Sequence, residues 1–162
     1  MTAVSDPVRL EAGSLAPDFT LTDQVGHPFT LSSTRGQKVI VYFYGEAETP
    51  ACTSQACDFR DNLSVFEDAG YRVIGISRDA AAVNAGFAKD EGLPQVILSD
   101  PTREVHALYG TYGEKQLYGR TVTGVIRATF ILDELGRIVM PLYNIKATGH
   151  VAMLLKKLRL GR

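Results

Sequence analysis

Hydrophobic and polar positions follow two rhythms along this chain. Val39-Ile40-Val41-Tyr42-Phe43-Tyr44 is an unbroken run of β-branched and aromatic residues, the pattern of a strand buried on both faces and so expected at the centre of a sheet. Residues 71–77 and 95–98 predict two further strands. Between and after them, residues 50–68, 80–90 and 103–109 read as helices. Upstream, residues 18–21 and 29–31 flank the turn-like Gln24-Val25-Gly26-His27-Pro28, which predicts a short hairpin. Downstream, residues 128–132 and 137–140 flank Asp133-Glu134-Leu135-Gly136 as a second hairpin. Residues 151–158 form a last helix, with Lys156, Lys157 and Arg159 near the end where its dipole favours cations. The polar, glycine-spaced stretch 110–124 is expected to be a long surface excursion, and residues 1–13, which lack periodicity, a loosely held arm.

Strand, helix, strand, helix, strand, helix, hairpin, helix is an α/β order: parallel units joined by right-handed crossovers and closed by an antiparallel hairpin. A thioredoxin-like fold, a central mixed sheet flanked by helices with an N-terminal β-hairpin, fits this order. No internal repeat or low-complexity linker divides residues 1–162, so one domain is expected. At 162 residues and 45 % hydrophobic composition the chain is long enough for one sizeable core. Its 17 Lys and Arg against 18 Asp and Glu leave a net charge of −1, which offers nothing to draw it to nucleic acid or an anionic membrane. With no basic and apolar leader at the start and no apolar stretch of about eighteen residues, a cytoplasmic protein is expected.

The two cysteines change the picture. Cys52 and Cys57 are too few for a disulfide scaffold or a four-thiolate zinc site, and His27, His106 and His150 are scattered, so neither a metal nor a cofactor is expected. The segment Gly45-Glu46-Ala47-Glu48-Thr49-Pro50-Ala51-Cys52 leaves the carboxyl end of the central strand, where open α/β sheets bind ligands. Thr49 before Pro50 reads as an N-cap followed by proline at the first helical position. Cys52 then falls in the first helical turn, at the positive end of the helix dipole, which favours a negatively charged, nucleophilic sulfur. Cys52, Ala56, Phe59, Leu63 and Phe66 recur at spacings of four and three, one stripe facing the sheet, whereas Cys57 lies off it. In an intact helix an i,i+5 pair is roughly 8.7 Å apart between Cα atoms, whereas a disulfide wants about 4.4 to 6.8 Å. Either the two never pair, or pairing is coupled to unwinding of at least the first turn and a half.

The run VYFYGEAETPACTSQACDFRD resembles the active-site segment of the bacterioferritin comigratory protein, or peroxiredoxin Q, branch of the peroxiredoxins. The likeness extends over nearly the whole chain, from Gly13-Ser14-Leu15-Ala16-Pro17-Asp18-Phe19 through Arg127-Ala128-Thr129-Phe130-Ile131-Leu132-Asp133 to Lys146-Ala147-Thr148-Gly149-His150-Val151. It implies a thioredoxin-like fold and reduction of hydrogen peroxide and organic hydroperoxides, with electrons from thioredoxin or a similar dithiol reductant. By the same resemblance Cys52 is the peroxidatic cysteine, and Cys57 the resolving cysteine that joins it in an intramolecular disulfide. Thr49 holds the peroxide oxygens, and Arg127 stabilises the thiolate and the leaving oxygen. One departure stands out: Gly45 occupies the position of a family proline. Glycine loosens a loop that proline would fix, and Glu46 and Glu48 add negative charge beside the reactive sulfur. A slower or more oxidation-tolerant peroxidase is the implication.

A reading of another class uses the same residues. In a non-catalytic redox switch, a disulfide between Cys52 and Cys57 would melt the helix and expose Phe59, Leu63 and Phe66 to a partner. Peroxide turnover separates the two readings. Neither fixes the acting unit beyond a monomer or a weak homodimer.

Overall fold

The computed structural model describes residues 9–44, 50–117 and 119–160. Along the chain the elements are β1 (Thr20–Asp23), β2 (Pro28–Thr30), a 3-10 turn (Leu31–Thr34), β3 (Lys38–Phe43), α1 (Pro50–Asp61), α2 (Leu63–Asp68), β4 (Tyr71–Ser77), α3 (Ala81–Glu91) and β5 (Val96–Ser99). There follow α4 (Glu104–Leu108), β6 (Tyr112–Leu117), β7 (Arg120–Val125), β8 (Ala128–Leu132), β9 (Ile138–Tyr143) and α5 (His150–Lys157). One sheet has the order β2-β1-β5-β4-β3-β8-β9. Its middle, β5-β4-β3, is parallel, and the strands outside it pair antiparallel. This is the mixed sheet of a thioredoxin-like fold.

The two-residue period of β3 divides the core. Val39, Val41 and Phe43 point to one face, where Val105 and Tyr109 at α4 and the N-terminal residues Ala16 and Phe19 cover them. Ile40, Tyr42 and Tyr44 point to the other, against Cys52, Ala56 and Phe59 of α1, Phe66 of α2, Phe87 of α3 and Val151 and Leu154 of α5. The stripe expected from the sequence is the buried face: Cys52, Ala56, Phe59, Leu63 and Phe66 all lie in this core. Tyr42 is seated by its neighbour in β4, Gly75, since a Cβ there would fall 2.6 Å from Tyr42 Cζ and only glycine leaves room for the ring.

Three expectations need correcting. The helix expected over residues 50–68 is two helices, α1 and α2, because Asn62 leaves helical geometry (φ −112°, ψ 9°) and turns its side-chain amide back to the Asp58 carbonyl at 2.9 Å. The excursion expected over 110–124 is the two-stranded antiparallel sheet β6-β7, turned at Gly119 with a positive φ of 76°. Of the arm expected over 1–13, residues 1–8 lie outside the described residues, and the rest is tied to β9. There the Leu10 N–H donates to Tyr143 Oη at 2.8 Å and the Gly13 N–H to the Ile138 carbonyl at 2.7 Å.

The histidines of α4 and α5 are buried. His106 faces Asp100, whose Oδ2 accepts the His106 backbone N–H at 2.8 Å and lies 2.7 Å from Nδ1. Burial pushes the Asp100 carboxyl up, but the hydrogen bonds from His106 outweigh it and hold the group below its ordinary value. His150, at the start of α5, shares a 2.8 Å hydrogen bond between Nε2 and Thr129 Oγ1. Its burial, with Arg127 nearby, pushes the imidazole down to about 4 from its ordinary 6.5.

Above 6.5 the ring is neutral in folded and unfolded chains alike; below it the unfolded chain takes up a proton that the folded one refuses until about pH 4. Stability should therefore fall across that window by on the order of 3 kcal/mol from this group. Urea midpoints measured through the window should drop less steeply in His150→Gln, and parallel slopes would refute the assignment.

Candidate active site

The site is built where β3 ends and α1 begins. Pro50 is the exposed first residue of α1, as its fixed φ and missing N–H suit. Cys52 is the third, on the first turn, with 2 % of its surface exposed. Thr49, expected as the N-cap, and Gly45 lie outside the described residues.

Arg127 reaches the sulfur from between β7 and β8, 75 positions along the chain. Its Nη2 donates to Cys52 Sγ at 3.2 Å and its Nη1 to Gln55 Oε1. The planar guanidinium thus spans two positions three residues apart on one helix face, which a lysine ammonium has no fork to do. A permanent positive charge in hydrogen-bond contact with a buried sulfur stabilises negative charge there. The Arg127 carbonyl accepts the Ile145 N–H at 3.1 Å, fixing the backbone from which the side chain extends.

Cys57 has a different environment. It is half-buried, off the core-facing stripe, and its Sγ donates to Glu91 Oε1 of α3 at 3.5 Å. Burial and that hydrogen bond to a carboxylate push the Cys57 thiol up from its ordinary value. Both cysteines are free thiols on the intact α1. One sulfur has a cation beside it and the other an anion.

Sequence reasoning missed two glutamines that complete the surroundings. Gln55 is fully buried, pairs with Arg127, and its Nε2 has no partner among the described residues. Its signal was a polar residue on an apolar helix face, at i+3 from Cys52. Gln95, just before β5, is 3 % exposed and donates from Nε2 to the Ala56 carbonyl at 3.0 Å and to Tyr42 Oη at 3.3 Å. Nothing local in the sequence distinguishes it. Tyr42 in turn stacks on Phe59 at 4.3 Å between ring centroids, and its burial raises the phenol well above its ordinary value.

Among the described residues no helix is long and apolar enough to cross a membrane. The family model described as AhpC/TSA family matches residues 12–140. A putative peroxiredoxin of Mycobacterium tuberculosis is 56 % identical over 150 residues, spanning 93 % of this chain and 96 % of that protein. Peroxiredoxin Bcp of Escherichia coli is 40 % identical over 150 residues, with 93 % and 96 % covered. The solved structure of the Xanthomonas campestris bacterioferritin comigratory protein is similar with a TM-score of 0.84 and 29 % identity, over 92 % of this chain and 98 % of that one. Peroxidoxin BcpB of Mycobacterium tuberculosis gives 0.81 and 31 %, over 93 % and 97 %. With its lone buried thiol at a helix start backed by arginine, the chain belongs to the AhpC/TSA family and, within it, to the thiol-dependent peroxidases of the bacterioferritin comigratory protein and peroxiredoxin Q branch.

Proposed function

We propose that this peroxidase works through Cys52 as peroxidatic and Cys57 as resolving cysteine, with Arg127 and Thr49 serving the first step. The observation that carries the assignment is the Arg127 Nη2 contact with Cys52 Sγ at 3.2 Å, set against the carboxylate beside Cys57. In the first step the Cys52 thiolate attacks a peroxide oxygen. An S–O bond forms as the O–O bond breaks, the other oxygen leaves with a proton as water or an alcohol, and the sulfur is oxidised to sulfenic acid. Arg127 supplies a fixed donor for the charge on the leaving oxygen. Thr49, three residues before Cys52, is assigned to the peroxide oxygens by family resemblance.

In the second step the Cys57 sulfur attacks the Cys52 sulfur. The S–S bond forms, the S–O bond breaks, and hydroxide leaves as water with the Cys57 proton. Both residues lie on one helix, too far apart for a disulfide while it is wound, so the first part of α1 opens for this step. A dithiol of thioredoxin type then returns two electrons and two protons, restoring both thiols.

The Xanthomonas campestris protein is known for alkyl peroxide reduction, and we extend the substrate range here to organic hydroperoxides as well as hydrogen peroxide. The cytoplasm, which keeps thiols reduced, is the compartment this cycle suits. One chain carries both cysteines, so a monomer or weak homodimer suffices. The relatives named above are peroxiredoxins and lend no support to a non-catalytic switch. Intact mass and disulfide mapping after one equivalent of hydrogen peroxide test the cycle: loss of two hydrogens with a link between Cys52 and Cys57 is expected. Oxygen retained at Cys52 without that link would overturn the resolving role of Cys57.

A further inference from the structure

Three contacts clasp α1 to the short stretch that ends α3 and enters β5. Gln95 Nε2 holds the Ala56 carbonyl at 3.0 Å, Glu91 Oε1 accepts from Cys57 Sγ at 3.5 Å, and the Glu91 carbonyl accepts from Arg60 Nη1. The stretch is itself anchored, since Gln24 donates from Nε2 to the Gln95 carbonyl at 2.9 Å and accepts the Ile97 N–H at 3.0 Å. These contacts divide α1 at an informative place. For Cys57 to reach Cys52 the helix must open through residue 57, so the tethers on Ala56 and Cys57 have to break. Phe59, stacked on Tyr42, and Arg60 lie beyond the opening and can stay.

We propose that Gln95 and Glu91 are positioning residues for the disulfide-forming step: they hold Ala56 and Cys57 in the wound helix and so set how long the Cys52 sulfenic acid waits for its partner. This rests on the reading that Cys52 and Cys57 pair. The waiting time has a chemical consequence. A second hydroperoxide can transfer an oxygen to the waiting sulfur, leaving as water or an alcohol and converting sulfenic to sulfinic acid. A firm clasp keeps the nucleophile in place for the first attack at the cost of exposure to the second.

The test separates the two steps in time. Reduced protein is mixed rapidly with one equivalent of hydrogen peroxide, quenched with an alkylating agent, and resolved by mass into sulfenic, sulfinic and disulfide forms. Gln95→Leu and Glu91→Ala should each form the disulfide about 5-fold faster, the effect of losing one net hydrogen bond, and should yield proportionately less sulfinic acid per turnover. Removing Glu91 also frees the Cys57 thiol from its carboxylate, so amide exchange on the reduced protein is measured as well. Faster exchange confined to residues 50–57 is expected in both variants. Exchange that rises equally in β3 and β4, or is unchanged in α1, would overturn the positioning role. A parent that forms no link between Cys52 and Cys57 overturns the pairing and this role with it; a parent that links as fast as the variants overturns this role alone.

Discussion

Replacing Cys52 by serine should reduce peroxide consumption, measured with thioredoxin and its reductase, to the uncatalysed background, a loss of about 10⁴-fold or more, as expected when a nucleophile is removed outright. Serine fits the space of a residue that is 2 % exposed, and its hydroxyl can still accept from Arg127, so the loss should come without unfolding. Cys57→Ser should behave differently. Its sulfur touches Glu91 rather than the site of attack, so one equivalent of peroxide should still be consumed in a rapid burst, after which turnover stops at the sulfenic acid. Turnover surviving in Cys52→Ser, or a burst missing in Cys57→Ser, would reverse or abolish the assigned roles.

Arg127→Met should lower kcat/KM for hydrogen peroxide by about 10²-fold, the usual cost of removing one fixed donor from a developing charge. The guanidinium acts in two ways. It places a permanent charge at Cys52 Sγ, and through Gln55 it fixes the face of α1 that carries the sulfur. Arg127→Lys keeps the charge but has no fork for both partners, so partial recovery is expected. Gln55→Leu removes only the second anchor and should cost less than Arg127→Met. If methionine and lysine at position 127 prove equally impaired, geometry rather than charge dominates; if neither is impaired, the contact is structural only.

The strands were legible where burial imposes a pattern. β4 occupies residues 71–77 as its apolar run indicates, and β3 begins one residue earlier than its run. Where pairing is not enforced by a buried face, the pattern fails. The hairpin β6-β7 interleaves Gly113 and Gly124 with charged and hydroxyl side chains, and its strands form a two-stranded sheet apart from the main one. The break between α1 and α2 was hidden for the opposite reason: Phe59, Leu63 and Phe66 keep the helical spacing straight through Asn62. Within the site, Cys52 was legible because helix-start chemistry is local. Arg127 is 75 positions away and was reached only through family resemblance. Gln95 was invisible, since its role depends on where β5 lies beside α1.

Gly75 offers no side chain of its own, yet the ring that fills its missing Cβ also carries the Gln95 amide on its hydroxyl and Phe59 on its face. Positions 75, 42 and 95 are therefore coupled through direct contacts. A methyl group gained at Gly75 displaces Tyr42, and with it the partner that aligns Gln95 on α1. A substitution at Gly75, in a strand that supplies none of the site residues named above, is thus expected to loosen the contact between Gln95 and α1.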